Sequence, residues 1–232
     1  CNECEMSFAI FVPPSQSRIS APPPVLYFLA GLTVDDLRGG EKGAFFGAAA
    51  KNHLALVFPD TSARTPQDQK IQGEDESWDF GSAAGFYLNA TTDAYKKHYN
   101  METYITKELP DTLNELFRVD TKRAAIFGHS MGGHGALSLH FRNPGLYQSV
   151  SAFAPICNPT QCNWGMKAFE GYLGSVEAGK AHDSTELVAH YKGPKVPILV
   201  DQGTSDSWLT NTKMAGSNLV SQDDCHDQLR PK

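Results

Sequence analysis

The segment GHSMGGHG, residues 128–135, decides the fold. It follows a short apolar run, Ala124 to Phe127, and opens a stretch with helical spacing, Met131 to Phe141, so it predicts a sharp turn between a strand and a helix. Glycines flank Ser130 because larger side chains would clash across so tight a turn. The turn lifts the Ser130 hydroxyl above the sheet at a helix N-terminus, where the helix dipole favours developing negative charge. We therefore predict that Ser130 is a nucleophile; the alternative is a serine that only caps a glycine-rich helix.

Short apolar runs and helical segments alternate on both sides of this turn. They predict strands at 6–12, 25–29, 54–58, 124–127, 150–153 and 196–200, and helices at 44–52, 101–117 and 131–141. Most of the strand runs are continuously apolar, as expected of strands that are covered on both faces. The pattern predicts an α/β fold with a mostly parallel sheet and helices on both faces. Pro110 should kink or break the helix in which it falls.

Length and composition indicate one ordinary globular domain. The chain has 232 residues, of which 41% are hydrophobic and 20% are charged, which argues against disorder, collagen-like repeats and a coiled coil. We assign residues 1–232 to a single domain, because no repeat or linker is visible. The formal net charge of −6 without a basic block argues against nucleic acid as a partner, and no apolar run is long enough to cross a bilayer. Since the first residue is Cys1 and no signal peptide is visible, we expect a fragment or a processed form, incomplete at both ends.

Five cysteines are spread sparsely along the chain: Cys1, Cys4, Cys157, Cys162 and Cys225. An odd, sparse set does not resemble a disulfide framework, so it favours a reducing compartment. The first two cysteines form a C-x-x-C pair and the next two a C-x4-C pair, but neither has the flanks of a zinc finger. We therefore expect small, semi-buried side chains, with no metal and no cofactor.

A serine hydroxyl needs a base, and the base needs an acid to orient it. In folds that carry this strand–turn–helix motif, the acid and then the histidine follow the serine along the chain. Asp201 and Asp206 both follow the apolar run 196–200. Asp206 is the preferred acid, because it lies past a glycine on the loop that would reach towards the serine, whereas Asp201 could cap the turn.

The histidine is the weak point of this constellation. Only His226 follows Asp206, and no strand-like run precedes it, so His226 is a low-ranking candidate base beside the alternative of a solvated histidine in an acidic tail. His129 and His134 lie in the wrong chain order, and His134 stands one helical turn beyond Ser130.

Backbone N–H groups must stabilise the negative charge that develops on the substrate oxygen. Met131 should supply one donor, because it directly follows the nucleophile. The loop after an early strand should supply the other, and here that loop is Gly31-Leu32-Thr33, directly after an apolar run. Gly31 lets the backbone turn inward, so Leu32 is the predicted second donor.

An acidic loop, GEDESWDFG at residues 73–81, also stands out. It lacks the regular spacing of a calcium-binding loop, and paired carboxylates for glycoside hydrolysis are a formal alternative. We expect a loop near the site whose aromatic rings shape a pocket wall; a plain surface loop is the alternative.

Four segments resemble one known family. GEDESWDFG (73–81), GHSMGGHG (128–135), SAFAPICNP (151–159) and DQGTSDSWL (201–209) together are similar to S-formylglutathione hydrolase, also called esterase D. The resemblance implies an α/β-hydrolase fold and hydrolysis of S-formylglutathione to formate and glutathione in formaldehyde detoxification, with side activity on simple esters. It also implies a cytoplasmic enzyme that is often a homodimer, with a glutathione thioester as its small-molecule partner.

Carried over position by position, the resemblance assigns the nucleophile to Ser130 and the acid to Asp206, and its early G-L-T turn falls on residues 31–33. The family's histidine motif, G-Y-D-H-S-Y, has no counterpart, and the likeness fades after Leu209. Two alternatives therefore stay open beside thioester hydrolysis: a general carboxylesterase or acyltransferase of the same fold, and a catalytically inactive scaffold. For a formyl substrate we expect a tight acyl pocket and a more open, polar cleft for glutathione.

Overall fold

The predicted apolar runs form the strands of a central sheet. The computed structural model describes residues 2–14 and 21–210, and within them six strands are arranged in the order β1-β3-β2-β4-β5-β6. Their bounds are Phe8–Phe11 (β1), Pro24–Leu29 (β2), Ala55–Pro59 (β3), Asp120–His129 (β4), Val150–Phe153 (β5) and Ile198–Asp201 (β6). Only the pairing of β1 with β3 is antiparallel among these strands, and the other neighbours are parallel. The predicted mostly parallel sheet is confirmed.

Helices cover both faces of this sheet, as the sequence pattern predicts. Their bounds are Arg38–Gly43 (α1), Phe46–Lys51 (α2), Met101–Thr103 (α3), Leu109–Leu116 (α4), Met131–Arg142 (α5), Asn163–Leu173 (α6), Val176–Gly179 (α7), Ser184–His190 (α8) and Ser207–Thr210 (α9). Short 3₁₀ turns occupy Gln67–Gln69, Pro159–Gln161 and Lys180–His182. In the part of the chain that the structure describes, none of the helices has the length and apolar character needed to span a membrane.

Alternate residues of the central strand β2 enter two separate hydrophobic cores. Tyr27 and Leu29 belong to the larger core, together with Leu137 of α5. Phe28 points to the other face and packs in a second core with Phe127. Both cores exclude water from β2, because its side chains alternate in direction and all of them are apolar. This is why the run 25–29 is continuously hydrophobic.

The sequence predicts that Pro110 either kinks or breaks its helix, and the structure shows no break. Three segments, Met101–Thr103, Tyr104–Glu108 and Leu109–Leu116, follow one another without interruption, and the middle one is a π-helical turn. Pro110 lies in the first turn of α4. A proline cannot donate the backbone hydrogen bond of an α-helix, and the wider turn before it accommodates that loss.

Two histidines, His134 and His182, are buried in the protein interior. His134 of α5 has no exposed surface, and its ring lies 5.9 Å from that of Phe86. His182 is also buried, with its ring 6.5 Å from that of Phe169. Burial lowers the pKa of His134 to about 4 and, with the charge of Arg142 as a further cause, the pKa of His182 to about 3. Both rings are therefore neutral in the folded protein at pH 7.

We expect these histidines to destabilise the fold in mild acid. Each ring binds a proton in the unfolded chain near its ordinary pKa of about 6.5 but stays neutral in the fold, so unfolding takes up protons as the pH falls below that value. Between pH 7 and pH 5 the free energy of unfolding should drop by about 2–4 kcal/mol, as measured by urea titration. His134→Gln should reduce this drop, whereas the same change at the exposed His190 should not. If the free energy of unfolding depended on pH equally in both variants, His134 would not be a source of the acid destabilisation.

Candidate active site

Ser130 lies at a sharp turn between β4 and α5. Its backbone has φ 59° and ψ −120°, in a region that non-glycine residues rarely adopt and that costs about 1–3 kcal/mol. Neighbouring backbone groups hold this conformation: the Ser130 N–H donates to the carbonyl of Phe153 at 2.9 Å, and the Ser130 carbonyl accepts from the N–H groups of His134 and Ile156. The predicted strand–turn–helix geometry is present, and the backbone strain falls on the residue predicted to be the nucleophile.

The glycines around Ser130 allow the backbones to touch. A Cβ atom added to Gly132 would lie 1.9 Å from the carbonyl oxygen of Leu29, and one added to Gly128 would lie 2.2 Å from the carbonyl oxygen of Gly132. Distances this short leave no room for any side chain, and both neighbours are backbone atoms that cannot rotate away. The start of α5 therefore rests directly on the end of β2.

This close approach also brings the Gly31-Leu32-Thr33 turn to the serine. A Cβ atom added to Gly31 would lie 3.2 Å from the Cβ and 3.7 Å from the Oγ of Ser130. The turn is fixed from outside, because the Thr33 N–H donates to the carbonyl of Ala83 at 3.0 Å. The segment predicted to provide an oxyanion donor and the predicted nucleophile are thus in contact.

The two candidate oxyanion donors flank that contact. Leu32 is half-buried and directly follows Gly31. Met131 is buried and is the first residue of α5, so its N–H has no acceptor within the helix. Leu32 and Met131 thus lie next to the contact between Gly31 and Ser130 along the chain, and both stay candidate donors.

Asp206 is held by two hydrogen bonds in the loop before α9. Its Oδ2 accepts from the side-chain amide of Gln202 at 2.8 Å, and its Oδ1 accepts from the backbone N–H of Trp208 at 2.9 Å. Asp201 ends β6 and is exposed. Since β4 and β6 are parallel to the strand between them, Ser130 and Asp206 follow their strands at the same edge of the sheet, with strand ends roughly 10 Å apart.

None of the histidines in the described ranges 2–14 and 21–210 fills the place of a base between Ser130 and Asp206. His134 is buried in the core behind the turn, as described above. His129 directly precedes the serine and is exposed. His226, the low-ranking candidate base, lies outside the described residues.

The acidic loop at residues 73–81 is tied into the fold by its own carboxylates. Glu74 is buried, and its carboxylate accepts from the hydroxyls of Tyr99 at 2.5 Å and Thr65 at 2.9 Å and from the N–H of Ile71 at 3.1 Å. Asp75 accepts from the N–H of Ser82 at 2.6 Å. These carboxylates have structural partners, so the arrangement does not support the alternative of paired acids for glycoside hydrolysis.

Tryptophans from three separate segments meet near Asp206. The ring of Trp208 lies 4.7 Å from that of Trp164, which in turn lies 6.0 Å from that of Trp78. Trp78 belongs to the acidic loop and is 59% exposed, whereas its neighbour Phe80 turns inward and stacks on Tyr172 at 4.7 Å. The expectation that aromatic rings of this loop shape a wall therefore fits Trp78 and fails for Phe80. Sequence reasoning missed Trp164, because its distance from Trp78 along the chain hides the contact.

An apolar cavity of about 330 Å³ adjoins the same turn. Gly31 and His129 line it beside the serine, and Phe28, Phe127 and Phe153 form its walls. Arg38 and Lys42 contribute the cationic groups of its lining. The cavity is apolar and lies next to Ser130, so it can accept a hydrophobic group.

The cysteines follow the sequence expectation only in part. Cys4 and Cys162 are free thiols, half-buried and buried respectively, whereas Cys157 is disulfide-bonded. Burial raises the pKa of the Cys162 thiol to about 11, which makes it a poor nucleophile. Across residues 2–14 and 21–210, no group of three or more metal-ligating side chains is arranged to hold a metal ion.

We expect the contact between α5 and β2 to be required for activity. Gly132→Ala would push a methyl group into the carbonyl of Leu29, so labelling of Ser130 by a fluorophosphonate should fall at least about 100-fold through loss of the turn geometry. Gly47→Ala is the matched control, because nothing lies within 4 Å of the added atom. Circular dichroism would establish that both variants fold. Wild-type labelling of a folded Gly132→Ala variant would contradict the prediction.

Comparison with known proteins agrees with this geometry. The Esterase family model matches residues 2–229. The chain is 49% identical to S-formylglutathione hydrolase of Mus musculus over 219 residues, covering 94% of this chain and 76% of that protein. It is 48% identical over 207 residues to S-formylglutathione hydrolase of Arabidopsis thaliana, covering 88% of this chain and 71% of that protein.

A solved structure gives the same result. An S-formylglutathione hydrolase from Agrobacterium tumefaciens superposes with a TM-score of 0.86 at 37% identity, covering 100% of this chain and 79% of that one. Sequence and structure comparisons thus agree over nearly the whole chain. The chain belongs to the Esterase family and, within it, to the S-formylglutathione hydrolases.

Proposed function

We propose that this chain is a serine hydrolase that converts S-formylglutathione and water to formate and glutathione. The observation that carries the proposal is the strained Ser130 turn with the Gly31 loop packed against it. The choice of substrate rests on the relatives, because the chain is 49% identical to S-formylglutathione hydrolase of Mus musculus over 94% of its length. The physiological context that we propose is formaldehyde catabolism.

The first half of the reaction transfers the formyl group to the enzyme. Ser130 Oγ attacks the formyl carbon while the general base takes the hydroxyl proton. The N–H groups of Leu32 and Met131 stabilise the oxyanion, each worth about 3 kcal/mol in the transition state. The tetrahedral intermediate then collapses, the carbon–sulfur bond breaks, and glutathione thiolate leaves. A thiol has a pKa of about 8.5, so the leaving group needs little help from an acid.

The second half of the reaction returns the enzyme to its starting state. Water attacks the formyl ester of Ser130, the carbon–oxygen bond to the serine breaks, and formate departs. Both halves need a general base, and Asp206 is the acid proposed to orient it. Two hydrogen bonds to its carboxylate and its position after β6, at the same edge of the sheet as Ser130, support this role. His226 is the candidate base that the sequence offers.

A carboxylesterase for larger acyl groups is the second candidate. The cavity of about 330 Å³ beside Gly31 is wider than the tight pocket expected for a formyl group, and its phenylalanine walls suit an aliphatic or aromatic acyl chain. The turn and its oxyanion donors would serve both activities equally, so only the choice of substrate separates them.

Two further properties are proposed on the family resemblance. The first is a cytoplasmic location. Cys157 is disulfide-bonded in the structure, so a reducing environment would have to convert it to a thiol; alkylation of freshly lysed cells followed by mass spectrometry tests this. The second is a homodimer, which light scattering tests.

The function is tested by fluorophosphonate labelling of the 232-residue chain together with assays of S-formylglutathione, p-nitrophenyl acetate and p-nitrophenyl hexanoate. We expect labelling and turnover that Ser130→Ala abolishes, with S-formylglutathione as the preferred substrate. Preference for the hexanoate ester would favour the carboxylesterase.

The same assay decides whether the triad is complete. Labelling with turnover would show that a base is present, and His226→Gln should then lower kcat by about 10³-fold or more. Neither labelling nor turnover would leave the inactive scaffold as the better account and would overturn the proposed function for this chain.

The acid is tested by a matched pair of substitutions. Asp206→Asn removes the charge that would orient the base, so kcat should fall by about 10³- to 10⁴-fold. Asp201→Asn changes an exposed aspartate five positions earlier, at the end of β6, and should retain most of the activity. A larger loss of kcat in Asp201→Asn than in Asp206→Asn would assign the role of the acid to Asp201.

A further inference from the structure

A second group of side chains lies beside the tryptophan cluster, which consists of Trp78, Trp164 and Trp208. Lys167 is one helical turn beyond Trp164 on α6, so both side chains emerge on the same side of that helix. The Lys167 ammonium donates to Oδ1 of Asp79 at 2.7 Å and to Oγ of Ser77 at 3.1 Å. Ser77 and Asp79 are the two residues that flank Trp78 in the sequence, so Lys167 is hydrogen-bonded to both chain neighbours of the exposed indole.

The mechanism above uses none of these groups. Asp79 is buried, with its side chain 12% exposed, while the side chain of Lys167 is 44% exposed. Burial acts to raise the pKa of Asp79, but hydrogen bonds from Lys167 and Ser77 outweigh it and the pKa is lowered. A charged carboxylate and a charged ammonium therefore stand side by side next to a flat apolar ring.

Such a pair is complementary to a zwitterion. An amino-acid head group carries an α-carboxylate and an α-ammonium next to each other, and it can pair with both members at once, each through charge-assisted hydrogen bonds. A tripeptide extends about 10 Å. The three indoles, with successive centroids 4.7 Å and 6.0 Å apart, link the Asp206 loop to Trp78 and offer apolar surface to such a peptide.

We propose that Lys167, Asp79 and Trp78 form the binding site for the γ-glutamyl end of the glutathione leaving group. This inference rests on the proposed function. The α-carboxylate pairs with the Lys167 ammonium, the α-ammonium pairs with the Asp79 carboxylate, and the peptide lies along the tryptophan cluster with its sulfur towards Ser130. The formyl group contributes little binding surface, so this site makes glutathione thioesters better substrates than thioesters of smaller thiols.

Binding can be measured without turnover. The chain has three tryptophans, and all of them belong to the cluster, so tryptophan fluorescence, excited selectively over that of the tyrosines, reports on this cluster. In the Ser130→Ala protein, S-methylglutathione should change the fluorescence saturably, and S-methyl-cysteinylglycine, which lacks the γ-glutamyl head, should bind at least about tenfold more weakly. No saturable change, or equal affinity for both ligands, would overturn the proposal even if the enzyme is active.

Lys167→Gln should weaken S-methylglutathione binding by about tenfold in the same assay. Lys180→Gln is the matched control, because Lys180 is also paired with a carboxylate, that of Glu177, and its side chain is 48% exposed. Lys180 lies outside α6, in the 3₁₀ turn Lys180–His182. Equal weakening by both changes would show a general charge effect and would contradict the site. Trp78→Ala tests the apolar part of the proposed site. The Trp78 ring is mostly exposed, so this change should not affect folding. Circular dichroism would establish that the variant folds.

Kinetics separate this site from the catalytic group. Lys167→Gln should lower kcat/KM for S-formylglutathione by about tenfold relative to S-formyl-cysteinylglycine, through KM rather than kcat. An unchanged ratio in an active enzyme would refute the site and leave the proposed function intact. If the wild-type chain turned over neither thioester, the proposed function would fail, and the binding measurements would still decide whether the site exists.

Discussion

The contact between the first turn of α5 and the last residues of β2 is the constraint on which the rest of the site depends. The backbone of Gly132 lies so close to the Leu29 carbonyl that even a methyl group has no room. That approach sets the angle at which the helix leaves the strand, and this angle holds Ser130 in its strained conformation. The same contact brings the Gly31 turn against the serine. One backbone-to-backbone contact therefore positions the nucleophile and the loop that serves it.

The sheet and the turn at Ser130 could be predicted from the sequence because their signals are local. A strand buried on both faces needs an unbroken apolar run, and the runs at 25–29 and 150–153 each became a strand. The tight turn needs small residues at fixed offsets from the serine, which a single pattern captures. The choice of Asp206 as the acid also uses only chain order, since the acid is expected after Ser130 and just beyond a later strand. The base has no comparable signal in the sequence.

The surroundings of the site could not be predicted, because they depend on contacts between distant segments. Trp78 and Trp164 meet although many residues separate them, and nothing in either local sequence marks the other as a partner. Glu74 reads as part of an acidic surface loop, yet it is buried by hydroxyl donors from Tyr99 and Thr65. Pro110 was expected to disturb its helix, but a π-helical turn absorbs it. For the tryptophans and Glu74, contacts between distant segments decide what the local sequence does not.

The order of the strands has a consequence for synthesis. β2 forms the centre of the sheet, but its partner β4 lies far along the chain, with Val25 opposite Ala124 and Leu29 opposite Gly128. At a translation rate of roughly 5–20 residues per second, β2 waits on the order of 10 s for that partner to emerge from the ribosome. The missing pairing and the turn at Ser130 then form in one late step, because Gly128 belongs to both. A shorter nascent chain therefore has neither a closed sheet centre nor a formed catalytic turn.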